Sequence, residues 1–259
     1  MSGAWRVRGL RLGGLFLTVL LWELLGRSDP VLRDVLPPFT SVLAALGDVL
    51  RSPRLGANAT TTGYEISVGF GIGAALGLAA GLLVAASAFW HRVFEPFLYY
   101  LGAIPKIVLY PVLILLLGVG ASSKVGIAAA SAFFPVAISA AVAARQVDPR
   151  LVRAARVLGA RRAQILLKVY LPATAGPLLS GLRLGLAVAI TGVLLAETSV
   201  AQAGLGVQAI GYYEQLEIAR LYALLLLIFL VVTLLNEGLS RLIERLTAYH
   251  RSAARMPVA

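Results

Sequence analysis

The amino-acid sequence predicts an all-α fold, a polytopic transmembrane helical bundle of about six spans. Of its 259 residues, 59% are apolar and only 14% are charged, whereas about a quarter are charged in an average soluble domain. Two stretches, 66–90 and 125–144, contain no charged residue and are long enough to cross a bilayer, which takes about 20 helical residues. Backbone polar groups find no water in lipid, so these stretches are expected to be helices. The expected spans are 10–26, 65–88, 96–118, 124–144, 173–197 and 219–240.

The distribution of basic residues predicts how the chain is oriented. The side that holds both termini carries 15 Lys and Arg residues, and the other side carries five. Basic residues accumulate on the cytoplasmic side of membrane proteins, so both termini are expected to be cytoplasmic. The net charge of +11 is therefore interpreted as a topology signal and not as a sign of nucleic-acid binding. We expect one transmembrane domain over 1–259, with a first span (10–26), an external segment (27–63) and core spans (65–240) that include a cytoplasmic loop (145–172).

Part of the external segment has a helical pattern. Apolar residues recur at helical spacing over 40–50. We expect a short helix there, lying at the outer surface, with Thr40 or Ser41 as the N-cap, because a hydroxyl can accept a hydrogen bond from the first turn.

The second span carries four glycines at intervals of four residues, namely Gly69, Gly73, Gly77 and Gly81. This spacing places them on one helix face, where a neighbouring helix can approach closely. The run from Gly69 to Gly73 also resembles part of a dinucleotide-binding fingerprint, which requires a preceding strand and a βαβ unit. Because the run lies inside a charge-free stretch, helix packing is the favoured interpretation.

The third span is interrupted by Pro105 and Pro111, with Lys106 between them. A proline within a span frees backbone groups that neighbouring helices or an aqueous cavity must satisfy. The break can be a packing kink or part of a substrate path, since broken helices often line transport sites. Lys106 favours a path, because intramembrane charges usually face a cavity, although a long side chain can also reach the interface. The candidate path residues are Pro105, Lys106 and Tyr110.

The cytoplasmic loop contains the signals of a short capped helix. Asp148 and Pro149 are typical of a helix start, and Gly159 can supply the left-handed residue that ends it. A second helix is expected over 163–170, stopping at Pro172. The first helix places apolar Leu151, Val152, Ala155 and Leu158 on one face and Arg150, Arg153 and Arg156 on another. Such a basic protrusion can dock onto a protein partner or onto anionic lipid headgroups.

The same loop resembles the cytoplasmic coupling loop of bacterial ABC importer permeases. The motif of that family is Glu-Ala-Ala, three residues, Gly, nine residues, Ile, any residue and Leu-Pro. This chain keeps the spacing over twenty positions, with Arg153 in place of the Glu and Val169 in place of the Ile. The resemblance implies that the contact with the ATPase is made by Arg153, Ala154, Ala155, Arg156, Leu158, Gly159, Val169, Leu171 and Pro172.

Further short segments resemble the nitrate/sulfonate/taurine-type branch of these permeases, in the same order along the chain. They are Leu21-Trp22-Glu23-Leu24, Leu36-Pro37-Pro38, Ile104-Pro105-Lys106, Leu117-Gly118-Val119-Gly120 with Ser123-Lys124, Phe133-Phe134-Pro135 and Gly204-Leu205-Gly206. The resemblance implies the type I ABC importer permease fold and a multi-pass location in the bacterial inner membrane. It implies translocation of a small solute, such as a sulfonate, taurine, nitrate or a similar organic anion or vitamin precursor.

The resemblance also implies the partners of the chain. These are a cytoplasmic ABC ATPase dimer, an extracytoplasmic solute-binding protein, a second copy of the chain and membrane lipid, with no nucleic acid. The chain has no glycine loop with Lys and Ser or Thr for cradling phosphates. ATP and Mg²⁺ are therefore expected to be used by the partner ATPase, and this chain is expected to bind no cofactor and to be no enzyme.

Two other classes of protein are alternatives to this interpretation. An ion-coupled secondary transporter often uses acidic residues within its spans, and Glu65, Glu197 and Glu237 fall near the predicted span ends. An intramembrane enzyme needs a nucleophile with a base, or metal ligands. The chain has no Cys and two separated His residues, so no catalytic residue and no metal site are expected.

Overall fold

A computed structural model of the chain describes residues 2–253 and, among these, the side chains of 9–161, 163–165, 168–170 and 173–241. The described residues form helices and no strand. The helices are α1 (Ser2–Ser28), α2 (Pro30–Val35), α3 (Phe39–Arg51), α4 (Pro53–Ala85), α5 (Ala88–Ala103), α6 (Tyr110–Leu117), α7 (Ala121–Arg145), α8 (Pro149–Val157), α9 (Arg162–Ile165), α10 (Leu171–Ser199), α11 (Leu205–Glu214) and α12 (Ile218–Ala253). A 3₁₀ helix covers Lys106–Leu109, and a π-helix covers Leu166–Tyr170.

The predicted number of spans is confirmed for the described residues. Five helices are long and apolar enough to cross a membrane, and they lie within α1, α4, α7, α10 and α12. The pair Ala88–Ala103 and Lys106–Leu117, which is bent by 86° at its break, makes a sixth where the two helices count together as one broken span. Large apolar side chains stay exposed on these helices, among them Leu115 and Leu234. Lipid is the solvent in which such a surface is stable.

The segment predicted as external, 27–63, is helical over most of its length. It contains α2, α3 and the first turns of α4, which begins at Pro53 and not near residue 65. The polar residues Asn58 and Thr62 continue this helix because their side chains hydrogen-bond to Gln208 and Glu197. A hydropathy pattern detects the apolar part of a span and misses such a polar extension.

The helix predicted over 40–50 is α3, but its expected N-cap is wrong. Its N-cap is Pro38, without a side-chain cap, because the Thr40 hydroxyl and N–H both bond to Glu23, each at 3.0 Å. The helix also packs against α12. Val42 and Val49 are fully buried in a cluster with Leu224 of α12.

The core of the bundle is formed by α4, α7 and α10. The four glycines of α4 face α7 so closely that a Cβ on any of them would meet an atom of α7 at less than 3.0 Å. Gly181 of α10 makes an equally close approach to Ser139 of α7. Gly181 stands outside a regular glycine repeat, so spacing along the sequence does not reveal its contact. These glycines let three spans pack with their backbones nearly in contact.

Candidate functional site

The loop between α7 and α10 holds α8, a helix with well-defined caps. The Asp148 carboxylate accepts a hydrogen bond from the Arg150 N–H at 2.8 Å. At the other end Gly159 has φ +77°, as predicted for a left-handed cap. The Gly159 N–H bonds to the Arg156 carbonyl and the Ala160 N–H to the Ala155 carbonyl, both at 3.0 Å. This pair of bonds is the Schellman motif, which satisfies carbonyls that a helix end leaves open.

One side of α8 is attached to the rest of the loop. Val152 is buried with Val147 and Ile165, and Ala155 and Val169 pack against them. The expectation that Leu151 and Leu158 share this apolar face is wrong, because their side chains are 53% and 86% exposed. Leu158 is the C-cap residue with ψ +7°, so helical periodicity no longer sets its direction.

The outer side of α8 combines positive charge with apolar surface. Arg150, Arg153 and Arg156 are exposed, and so are Val157 and Leu158 at the tip. The same side therefore offers both charge and apolar area, which are the two components of a protein docking surface.

The second helix of the loop differs from its prediction. The chain forms α9 and then the π-helix over Leu166–Tyr170, which runs directly into α10. Pro172 therefore does not stop a helix but lies in the first turn of α10. Val169 is half-buried, while the side chains of Leu171 and Pro172 lie outside the described part of the structure.

Lys106 lies at the break between α5 and α6. Its ammonium donates to the carbonyls of Leu101, Gly102 and Ile104, at 2.7, 2.9 and 2.5 Å. An ammonium has three donors, so all are in use. Pro105 has no N–H to continue the helix, and Lys106 satisfies carbonyls that are left open there. The same ammonium lies 4.6 Å from the centre of the Phe134 ring.

The three candidate path residues separate into two locations. Pro105 and Lys106 line a cavity of about 350 Å³ between α5, α7 and α10. Tyr110 lies outside this cavity and is 3% exposed, packed with Ile127 and Ala196. Its hydroxyl donates to the Val200 carbonyl at 2.9 Å, which ties the start of α6 to the end of α10.

A buried charged cluster, formed by Glu65, Lys124 and Glu197, was not found by the sequence analysis. Each of its residues is at most 3% exposed. The Lys124 ammonium lies 3.8 Å from a Glu65 carboxylate oxygen. The Glu197 carboxylate accepts from the Thr62 hydroxyl at 2.6 Å and from the Gly206 N–H at 2.7 Å. The signal was present in the sequence, because all three charges fall at span ends on the same predicted side of the membrane.

Glu197 of this cluster, together with Thr62 and Asn58 of α4, holds the turn that precedes α11. The Leu205 N–H donates to the Thr62 hydroxyl at 2.8 Å, and the Gly204 N–H to the Asn58 side-chain oxygen at 3.1 Å. Gly204 has φ +126°, and a Cβ there would collide with the Glu197 carboxylate. The sequence Gly204-Leu205-Gly206 thus has a physical role, which is to bring backbone N–H groups onto buried side chains.

Comparison with known proteins identifies several similar permeases. The chain is 31% identical over 239 residues to the putative aliphatic sulfonates transport permease protein SsuC of Bacillus subtilis (strain 168), covering 92% of this chain and 86% of that protein. It is 32% identical over 174 residues to the taurine transport system permease protein TauC of Escherichia coli (strain K12), covering 67% of this chain and 63% of that protein.

The fold is also found among solved structures. An inward-facing structure of the MetNI methionine ABC transporter contains a chain that matches with a TM-score of 0.65 and 21% identity, covering 74% of this chain and 95% of that one. Residues 69–249 match the family of binding-protein-dependent transport system inner membrane components. The chain belongs to this family, and it is an ABC importer permease of the sulfonate/taurine type.

Proposed function

We propose that the chain translocates a small sulfonate or a related organic anion that a solute-binding protein delivers at the outer face. The support for this solute class is that similar permeases are described as carrying aliphatic sulfonates and taurine. An ion-coupled secondary transporter is not favoured, because the chain belongs to a family of binding-protein-dependent permeases. The orientation with both termini in the cytoplasm and the pairing with a second copy are part of the same proposal.

The observation that carries the proposed coupling role is the form of α8. A helix fixed at Asp148 and Gly159 and attached through Val152 can move as one body. When an ATPase dimer closes around bound ATP, a rigid docked helix transmits the displacement to the neighbouring spans, whereas a flexible loop would absorb it. The π-helix leads from the loop into α10 without a gap, so α10 is the span that this movement would reach first.

The contact itself would combine the arginines with the exposed apolar tip. Val157 and Leu158 are 87% and 86% exposed, and burying them in a cleft of the ATPase would supply apolar area. Arg153 stands where the family usually has Glu. The matching surface of its own ATPase is therefore proposed to carry an acidic group at this place, since a basic one would repel it.

Substitution of Gly159 tests the coupling role. An added Cβ at Gly159 meets no atom within 4 Å, so any defect of Gly159→Val comes from the backbone. A β-branched residue at this φ costs about 1–3 kcal/mol, too little to unfold the bundle but enough to displace a short helix. We expect normal membrane levels of the variant, loss of taurine uptake in proteoliposomes and weak co-purification of the ATPase.

Two control variants separate the effect of the backbone conformation at Gly159 from that of the charge on the loop. Gly159→Asn should keep much of the activity, because Asn tolerates the left-handed conformation. Arg161→Ala removes one exposed charge without changing the backbone and should have a mild effect. Normal transport by Gly159→Val would disprove the coupling role of this position. Failure of any ATPase to co-purify with the unmodified chain would disprove the proposed partner.

A further inference from the structure

The cavity at the helix break has the size and lining of a small-solute site. Its volume of about 350 Å³ lies at the lower end of the range for ligand pockets, roughly 300–1,000 Å³. It is lined by the end of α5, by the break that follows it, and by α7 and α10. The described residues that line it include Lys106, Ser131 and Gly192, and none of them is Asp or Glu.

Ser131 presents an unused hydroxyl to this cavity. The residue lies in the middle of α7 and is only 5% exposed. Several other hydroxyls on the spans bond back to a carbonyl four residues earlier, as Thr191 does to Ala187 at 3.0 Å. The Ser131 hydroxyl has no hydrogen-bond partner among the residues whose side chains are described. A buried polar group without a hydrogen-bond partner costs free energy. This hydroxyl is therefore suited to a partner that a solute brings into the cavity.

Gly192 keeps the Ser131 hydroxyl accessible. A Cβ at Gly192 would lie 3.1 Å from the Ser131 hydroxyl oxygen, so a larger residue would crowd the group that faces the cavity. Because Gly192 of α10 has no side chain, the cavity stays open beside the Ser131 hydroxyl.

Lys106 determines the sign of the charge at the cavity. Its three donors are held by carbonyls, so it cannot ligate a solute without giving up a bond at the helix break. Its positive charge nevertheless remains, and no described carboxylate forms an ion pair with it. In a medium of low dielectric such a charge attracts anions and repels cations over several ångströms.

We propose that this cavity is a passage site for small oxyanions, in which the Ser131 hydroxyl donates a hydrogen bond to the solute while Lys106 supplies positive potential from the helix break. This proposal rests on the proposed transport function and adds the chemistry of the path. Lys106 is then a positioning residue for the broken span and a source of field, and Ser131 is the group that touches the solute.

Labelling of a cysteine at position 131 tests the site without reference to any particular solute. The chain has no cysteine of its own, so Ser131→Cys can be followed alone in the permease–ATPase complex. The probes are an anionic methanethiosulfonate reagent that bears a sulfonate and a cationic one of similar size that bears a trimethylammonium group. Each modification rate is divided by the rate of the same reagent with free 2-mercaptoethanol.

We expect a normalised preference for the anionic reagent of roughly tenfold, the lower end of the effect of a charged, low-dielectric cleft. Lys106→Met in the same background should remove most of this preference. Ser123→Cys on the same helix is the control, because Ser123 is fully buried and its hydroxyl bonds to the Gly120 carbonyl. An unreactive cysteine at position 131, or a preference for the cation, would overturn the proposal.

Uptake measurements test the hydrogen bond. In proteoliposomes with the complete importer and its binding protein, Ser131→Ala should lower taurine uptake at subsaturating concentration by roughly tenfold, as expected for a lost bond to a charged group. Binding of the ATPase should be unchanged. Ser139→Ala, the same substitution on α7 beside Gly181, should transport normally. Unchanged uptake by Ser131→Ala would refute the hydrogen bond between this hydroxyl and the solute. Absence of taurine uptake by the unmodified importer would instead refute the proposed solute class. In that case the labelling result alone would decide whether the cavity is an anion site.

Discussion

Replacement of Gly73 by alanine tests the contact that sets the distance between α4 and α7. A Cβ at this position would lie 2.9 Å from the Ala129 Cα and 2.9 Å from the Ala132 Cβ. Carbon atoms in contact prefer about 3.5–4.0 Å. Relief of the overlap therefore requires the two helices to separate by roughly 1 Å, and the close contacts of the neighbouring glycines would be lost with it.

Gly71 supplies a matched control on the same helix. A Cβ there would meet no atom within 4 Å. Both Gly→Ala changes gain the same helix propensity, about 1 kcal/mol. Overpacking costs about 1–3 kcal/mol in addition at Gly73 alone. The propensity gain cancels when the two variants are compared. The free energy of unfolding of Gly71→Ala is thus expected to exceed that of Gly73→Ala by about 1–3 kcal/mol.

The measurement is thermal unfolding of the purified chain in detergent. For a chain of this size, 1 kcal/mol corresponds to roughly 2–4 °C in the Tm, so Gly73→Ala should unfold several degrees below Gly71→Ala. Gly77→Leu should have a larger effect of the same kind, since its Cβ would already overlap the Phe133 carbonyl. Equal Tm values for Gly71→Ala and Gly73→Ala would refute the argument that these glycines set the helix spacing.

Two further predictions concern the buried cluster and the topology. Glu197→Gln should destabilise the chain by about 1–3 kcal/mol in thermal unfolding, because its amide nitrogen would face a hydrogen-bond donor. Glu237→Gln, which changes an exposed ion pair, should cost less than about 1 kcal/mol. Equal losses of stability in the two variants would contradict this prediction. A cysteine at Ser52 should react with an impermeant thiol reagent from outside intact cells and one at Ser252 should not; the opposite pattern would reverse the orientation.

Local features of the structure followed from the sequence. The apolar stretches predicted the number of spans, because a helix in lipid satisfies its own backbone and needs no partner for this. The end of α8 at Gly159 was predicted for the same kind of reason, since a left-handed residue depends on the side chain at that one position. The face of α4 that carries Gly69 and Gly81 could be recognised from spacing alone.

Features that depend on distant residues could not be predicted in this way. Lys106 was interpreted as a path residue because it is a charge within a span, yet its donors are used by the carbonyls at the break. Whether those carbonyls are open depends on the bend of 86°, which spacing does not reveal. The outward direction of Leu158 likewise follows from where α8 ends and from what packs beneath it.

By itself, the sequence of this protein determined the helical class, the approximate spans and the capped helix α8, all of which arise from interactions within a few residues. Only the tertiary structure decided that Thr62 meets Glu197 across 135 positions, that Tyr110 bonds to Val200, and that Ser131 faces a cavity beside Gly192. The physical reason is that these groups are brought together by the packing of α4, α7 and α10. The pattern along one helix specifies which residues share a face, but not which face of another helix lies opposite.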